Sequence, residues 1–263
     1  MKQNLLLALG AVTIGALTLH AQAPAAAPAP AGASWTLTPA IASQYMFRGV
    51  RLGGPSFQPT LEYANGAFTG GVWANAPISD KVVGQSDPEF DFYASYKFEV
   101  AKDTLSIQPG VTLYSYPNAK KSNGFYKSSF EPYLAVNWTV SGLTLTPKVY
   151  YDMVLKGATL ELNAGYSVPL KDAGTELAFA ASFGGYKWDA AAENTTPDVK
   201  NYGNYWQAGV SLPFQVSKDN KLTLGWAYVK GSDNYFKQGR VAKSLNTAAV
   251  GRGVVTVSYA ISF

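Results

Sequence analysis

The feature that most constrains this chain is a strict alternation of apolar and polar residues, which recurs from Trp35 to Phe263. Between Glu89 and Phe98, every second residue is aromatic or alanine, and the residues between them are charged or carry a hydroxyl group. A period of two places successive side chains on opposite faces of a β-strand. We identify twelve such segments, each about 9 to 13 residues long, the length that a tilted strand needs to cross an outer membrane.

The connections between the segments give an independent test. Counted from the first segment, the even-numbered connections are short, and Asn65-Gly66 and Ser141-Gly142 are typical of two-residue hairpin turns. The odd-numbered connections are mostly long, and the longest span residues 188–203 and 231–252. Short turns at one rim and long loops at the other are typical of outer-membrane barrels. The predicted fold is therefore all-β: a transmembrane antiparallel β-barrel of about twelve strands, of the outer-membrane type.

The first segment follows the same alternation, whereas prolines inside several other segments fit this fold least well. In the first segment the apolar face would carry Leu37, Ile41, Tyr45 and Phe47, which predicts a lipid-facing strand that continues as far as Arg48. Prolines also fall inside several segments, where a closed sheet would lose ladder hydrogen bonds: Pro59, Pro109, Pro132 and Pro147.

The amino-terminal residues predict export from the cytoplasm. Lys2 precedes an apolar stretch from Leu5 to Leu19 that is too short to span a bilayer, and small residues follow at Ala21 and Ala23. This pattern is typical of a cleaved secretory signal peptide. We therefore predict three parts: a signal peptide at residues 1–23, an Ala/Pro-rich linker at 24–33, and an outer-membrane β-barrel at 34–263.

The last segment distinguishes a membrane barrel from a soluble one. The last segment ends in a phenylalanine that is preceded by apolar residues at alternate positions. This pattern resembles the sorting signal that the barrel assembly machinery recognises. Its residues are Val255, Val257, Tyr259, Ile261 and Phe263. The alternative fold is a periplasmic lipocalin-like or sandwich protein, whose outward face should be polar. We expect the bacterial cell outer membrane to be the location of the protein after signal-directed export.

The composition excludes most catalytic chemistry. The chain has no cysteine, and its one histidine, His20, lies in the predicted signal peptide. Thiolate and imidazole metal sites and Ser-His-Asp hydrolysis are therefore excluded from the mature chain. We predict no enzyme, no cofactor and no metal, although a hydrolase that uses only the carboxylates Glu89, Asp91 or Asp152 remains an alternative.

Charged residues inside the segments share one face, opposite the apolar one. An ionised group that faced hydrocarbon would cost a few kcal/mol, so this face is predicted to line the lumen. The predicted lumen-facing residues are Arg48, Glu62, Glu89, Asp91, Lys97, Glu131, Lys148, Asp152 and Glu161. Six are acidic and three are basic, which fits either a polar conduit with a local cation preference or a set of ion pairs that plug the barrel.

Three motifs resemble the TorF-type family of putative outer-membrane porins. They are Ser43-x-Tyr45-x-Phe47-Arg48-Gly49, Glu89-x-Asp91-x-Tyr93-x-x-Tyr96, and Tyr114-x-Tyr116-Pro117. The resemblance implies an outer-membrane barrel and a channel, without naming a substrate. The chain departs from the family pattern in its longer loops at 188–203 and 231–252.

The expected function is passive or weakly selective diffusion of small hydrophilic solutes through the outer membrane. The alternative is a non-conducting structural or adhesive barrel, because basic residues outnumber acidic ones in the predicted outer loops. Such loops could bind lipopolysaccharide phosphates or a protein partner. Expected partners are therefore outer-membrane lipid and lipopolysaccharide, the barrel assembly machinery and small solutes. Nucleic acid is not expected, because export removes the protein from it.

Overall fold

The computed structural model describes residues 32–80, 87–119, 127–188, 202–232 and 251–263. The predicted signal peptide (1–23), residues 24–31 of the predicted linker, and most of the predicted loops at 188–203 and 231–252 lie outside the described residues. No helix within the described ranges is long and apolar enough to cross a membrane.

The described residues form seventeen β-strands and one short 3-10 helix at Lys171–Ala173. The first nine strands are β1 (Ser34–Thr38), β2 (Ala40–Ala42), β3 (Tyr45–Phe47), β4 (Val50–Gly53), β5 (Ser56–Phe57), β6 (Thr60–Asn65), β7 (Phe68–Pro77), β8 (Glu89–Tyr96) and β9 (Phe98–Ala101). The other eight are β10 (Leu105–Ser115), β11 (Ser128–Val140), β12 (Leu143–Asp152), β13 (Gly157–Leu170), β14 (Thr175–Trp188), β15 (Tyr202–Gln215), β16 (Asn220–Gly231) and β17 (Arg252–Ser262).

Fifteen of these strands form one closed antiparallel sheet. Three barrel strands are each interrupted once: the first is β1 with β2, the second is β5 with β6, and the fourth is β8 with β9. Strand β17 pairs back with β1 and β2, for example Ile261 with Leu37 and Val257 with Ile41. The sheet is therefore a barrel of twelve strands, and the predicted fold and strand number are confirmed.

Side-chain burial follows the predicted alternation along each barrel strand. In β8, Asp91, Tyr93 and Ser95 are buried, whereas Phe92 and Tyr96 are exposed. The exposed residues form an apolar belt around the outside of the barrel, which includes Trp35, Leu37, Ile41, Phe57, Leu134, Trp138, Leu160, Phe183, Trp206, Trp226 and Val257. A soluble sandwich or lipocalin would expose polar residues there, so the belt identifies a barrel of the bacterial outer membrane.

The prolines inside the strands interrupt the hydrogen-bond ladder only locally. Pro59 lies between β5 and β6, where the second barrel strand is broken. Opposite Pro147, the pairing of β11 with β12 skips from Ala135–Lys148 to Trp138–Leu145. The neighbouring pairs keep their register, so the barrel closes despite the missing donors.

The first loop differs from the sequence-based expectation. The first barrel strand ends at Ala42, and β3 and β4 pair only with each other within the described residues. Tyr45 is fully buried and does not join Leu37 and Ile41 on the lipid-facing side, so the prediction of a strand that continues to Arg48 is wrong. The chain turns back at Arg48 and Gly49, which both have positive φ.

Candidate functional site

The hairpin of β3 and β4, Tyr45–Gly53, folds into the barrel, and we call it the inner hairpin. It belongs to the connection between the first and second barrel strands, so it enters from the rim opposite the chain ends. Tyr45 on one of its strands donates a hydrogen bond of 2.7 Å to Glu89 on β8. At its tip, a Cβ atom added to Gly49 would lie 2.5 Å from the Cα of Gly231 on β16. The hairpin therefore crosses the lumen from one wall to another.

Arg48 at the tip is held by a carboxylate and two aromatic rings. Its Nη1 and Nη2 atoms donate bonds of 2.8 and 2.7 Å to the two oxygens of Glu131, and both residues are almost completely buried. Its Cζ lies 4.8 Å from the ring centroids of both Phe47 and Tyr150. The Tyr114 hydroxyl adds a third bond to Glu131. A fork-like guanidinium pair of this kind fixes both position and orientation.

Two more carboxylates lie on the buried face of β8. Glu89 accepts bonds of 2.7 Å from the hydroxyls of both Tyr45 and Tyr116. Asp91 is 0% exposed, and neither of its oxygens accepts a hydrogen bond from any residue that the structure describes. We call Glu89, Asp91 and Glu131 the acidic cluster; Asp91 interacts electrostatically with both of the others.

The three motifs singled out in the sequence meet at this cluster. Tyr45 from the first motif and Tyr116 from the third both donate to Glu89 from the second. The rings of Phe47 and Tyr114 lie edge to face, with centroids 6.0 Å apart. Residues far apart in sequence therefore build one site of carboxylates, phenols and a guanidinium group.

The remaining predicted lumen-facing residues occupy different surroundings. Glu161 accepts bonds from Tyr150 and Tyr205, and Glu62 accepts one from Tyr93. Lys148 lies with its Nζ 5.4 Å from the ring centroid of Tyr133, and Lys97 is half-buried at the break between β8 and β9. Asp152 accepts bonds from Ser129 and from the backbone N–H groups of Val154 and Leu155, so it caps the tight turn that follows β12.

Tyrosine is the residue type that the sequence reasoning missed. Phenolic hydroxyls donate to Glu62, Glu89 and Glu161 in the described structure. The signal was available, because the chain has 17 tyrosines and several of them share the parity of the charged or uncharged polar residues on the inner face of their strands: Tyr93, Tyr114, Tyr150 and Tyr205. A phenol donates a hydrogen bond without adding a charge, so the interior keeps an acidic excess.

Towards the rim that holds the chain ends, part of the lumen wall is lined by uncharged polar side chains. A chain of six hydrogen bonds there crosses seven consecutive barrel strands, from β8 to β15. Five of the bonds join two side chains, and in the sixth the Asn163 side chain donates to the backbone carbonyl of Thr146. We call it the polar belt, and its members are Ser95, Gln108, Asn137, Thr146, Asn163, Ser182 and Gln207. Each of these side chains donates to or accepts from its neighbour, so the belt is uncharged and preorganised.

Within the described ranges, no group of three or more His, Cys, Asp or Glu residues could hold a metal ion.

Comparisons with known proteins agree with the barrel architecture. The profile of a bacterial family, described as "Bacterial protein of unknown function (Gcw_chp)", matches residues 26–258. No curated protein matches the sequence. Among solved structures, the NanC porin has a TM-score of 0.53 at 10% identity, covering 86% of this chain and 98% of its own.

Two further solved structures show the same fold. The KdgM porin has a TM-score of 0.52 at 15% identity, covering 87% of this chain and 99% of its own. An outer membrane channel from Pseudomonas putida F1 has a TM-score of 0.51 at 11% identity, covering 89% of this chain and 96% of its own. At these identities the likeness concerns the fold, which is that of outer-membrane porins.

Proposed function

Because the chain belongs to the Gcw_chp family, whose description names no activity, we propose its function from the barrel itself: an outer-membrane channel for small hydrophilic solutes. The observation that carries this proposal is the polar belt, an uncharged wall of hydrogen-bonding side chains of the kind that lines a water-filled lumen. The porin fold of the compared structures supports the same function.

The inner hairpin gives the channel its constriction. It places Arg48 and Tyr45 beside the acidic cluster in the outer half of the lumen, so a solute that enters from outside meets these groups before the polar belt. Three carboxylates and one guanidinium group leave an acidic excess at this level. We expect this excess to favour cations, because charges at a constriction act at shorter range than screened loop charges.

A second candidate function is favoured by the same hairpin. Arg48, Tyr45 and Met46 are so completely buried that the hairpin can equally serve as a permanent plug in a structural or adhesive barrel. The basic loops that would bind lipopolysaccharide or a protein partner lie mostly outside the described residues.

Planar-bilayer conductance of the refolded protein, with ion selectivity, distinguishes the two functions. Ala42 and Ser56 are paired neighbours at the base of the hairpin, so residues 44–54 can be replaced by an Asn-Gly turn that rejoins the two strands. If the protein is a channel, the wild type conducts, and the variant with this replacement conducts more. A permanently plugged barrel conducts only with the replacement, and that result would reject the channel function.

The remaining sequence-based assignments are part of the same proposal. Residues 1–23 direct export, residues 24–33 form a linker, and the barrel runs from 34 to 263. Val255, Val257, Tyr259, Ile261 and Phe263 serve as the signal for the barrel assembly machinery. We propose no enzymatic activity, because the only histidine of the chain lies in the export segment.

The TorF-type resemblance is also proposed to reflect a shared channel architecture. Its support is that the motifs which carry the resemblance supply the inner hairpin, the acidic cluster and the phenols that join them.

A further inference from the structure

Asp91 is the one member of the acidic cluster without a hydrogen-bond donor among the described residues. Glu131 has the Arg48 guanidinium and the Tyr114 hydroxyl, and Glu89 has two tyrosine hydroxyls. Both oxygens of Asp91 are buried and accept nothing from the described residues. Buried carboxylates are normally paired or hydrogen-bonded, so this side chain requires an explanation.

The surroundings of Asp91 are aromatic. Its paired neighbours across the sheet are Trp73 on β7 and Tyr114 on β10. These two residues belong, with Tyr45 and Tyr93, to one buried cluster. Aromatic faces attract cations, and the attraction grows when water is excluded.

The chain itself shows which chemical group fits such surroundings. Arg48 sits between a carboxylate, Glu131, and the rings of Phe47 and Tyr150, with a neighbouring phenol on the same carboxylate. Tyr114 lies on β10, the strand between β8 and β11. On the β8 side of Tyr114, Asp91 offers the same combination of a carboxylate and aromatic rings. We propose that Asp91 binds the ammonium or guanidinium group of a small organic cation that passes through the channel.

This proposal rests on the proposed channel function and specifies its solute class. N–H groups match the site better than a bare metal ion does, because the described residues contain no cluster of carboxylates that could coordinate a metal. A monovalent cation at Asp91 neutralises one of the two carboxylates, Glu89 and Asp91, that remain once Glu131 is paired with Arg48.

The test measures block of potassium current by two monovalent cations of different chemistry, in an amine-free phosphate buffer. Methylguanidinium has N–H donors, whereas tetramethylammonium has none. We expect methylguanidinium to block at about tenfold lower concentration than tetramethylammonium in the wild type. D91N should remove this difference. D172N, the same change in the exposed 3-10 helix, should keep it.

The outcomes separate this inference from the proposed function. Conductance with equal block by the two cations overturns the inference and leaves the channel function standing. Absence of conductance in the wild type rejects the channel function. In that case, the cation site is tested by the melting temperature of the wild type in detergent. A higher melting temperature with methylguanidinium than with tetramethylammonium supports the site, and equal melting temperatures with the two cations overturn it. Both comparisons use wild-type protein, so they hold even if D91N fails to fold.

Discussion

Arg48 and Glu131 lie 83 residues apart in the chain and form two parallel hydrogen bonds, of 2.8 and 2.7 Å, inside the barrel. Through this pair the tip of the inner hairpin is fastened to the sixth barrel strand. The other two carboxylates of the acidic cluster, Glu89 and Asp91, have no basic partner among the described residues. We therefore expect neutralising substitutions at the three positions to change the unfolding free energy differently.

Replacing Glu131 with glutamine should weaken the barrel. The substitution leaves the buried Arg48 without its counter-charge, which costs about 3 to 5 kcal/mol of unfolding free energy. The measurement is urea unfolding in detergent, followed by heat-modifiable gel migration. The double variant R48M/E131M should recover part of the loss, because it removes both charges together. Equal stability of E131Q and the wild type would contradict the structural importance of the pair.

Replacing Asp91 with asparagine should have the opposite effect in an amine-free buffer. The substitution removes a buried charge that has no donor within the described residues, so we expect unfolding free energy to rise by about 1 to 3 kcal/mol. The same unfolding assay, with E131Q measured in parallel, shows whether D91N raises or lowers the unfolding free energy. A loss of stability as large as that of E131Q would mean that Asp91 has a structural partner. A gain would indicate that the native aspartate is kept for function at the expense of stability.

Adding one methyl group at Gly231 should displace the inner hairpin. The new Cβ of G231A would lie 2.7 Å from the backbone oxygen of Gly49, and overpacking of this kind typically costs about 1 to 3 kcal/mol. G185A is the control, since its Cβ would meet nothing closer than an ordinary contact of 3.5 Å. We expect single-channel conductance to increase in G231A and to stay unchanged in G185A. Identical conductance of the two variants would mean that the hairpin does not limit the current.

Deleting Phe263 should impair assembly more than deleting Ala248 from the predicted loop at 231–252. Phe263 is 71% exposed and is the last apolar position of the proposed sorting signal. The loss of a residue from a loop tip generally disturbs assembly less. Outer-membrane fractionation and heat-modifiable migration measure assembled protein. Equal assembly of the two deletions would remove the carboxyl-terminal argument for sorting.

The barrel wall was predictable from sequence because lipid constrains one face of every strand. In β8 the exposed Phe92 and Tyr96 alternate with the buried Asp91 and Ser95, and a one-residue slip would turn charges toward hydrocarbon. The number of segments and their antiparallel order therefore follow from periodicity and connection length.

The inner hairpin was not predictable from the same pattern. Tyr45 and Phe47 continue the period of Leu37 and Ile41, so alternation alone cannot tell a strand that faces lipid from one that folds into an aromatic interior. The difference lies in contacts with Glu89 and Glu131, which are distant in sequence. The available local signal was Arg48-Gly49, where a glycine permits the positive φ of the turn.

The hairpin also imposes an order on folding. It is joined to the first two barrel strands, but its tip contacts Glu131 on the sixth and Gly231 on the eleventh. A segment cannot dock against a wall that has not yet formed, and contacts between residues so far apart in the chain are the slowest to close. The hairpin must therefore insert after most of the cylinder is built. Until then Glu89 lacks the donor that Tyr45 supplies, Glu131 lacks its guanidinium partner, and the lumen is wider than in the finished protein.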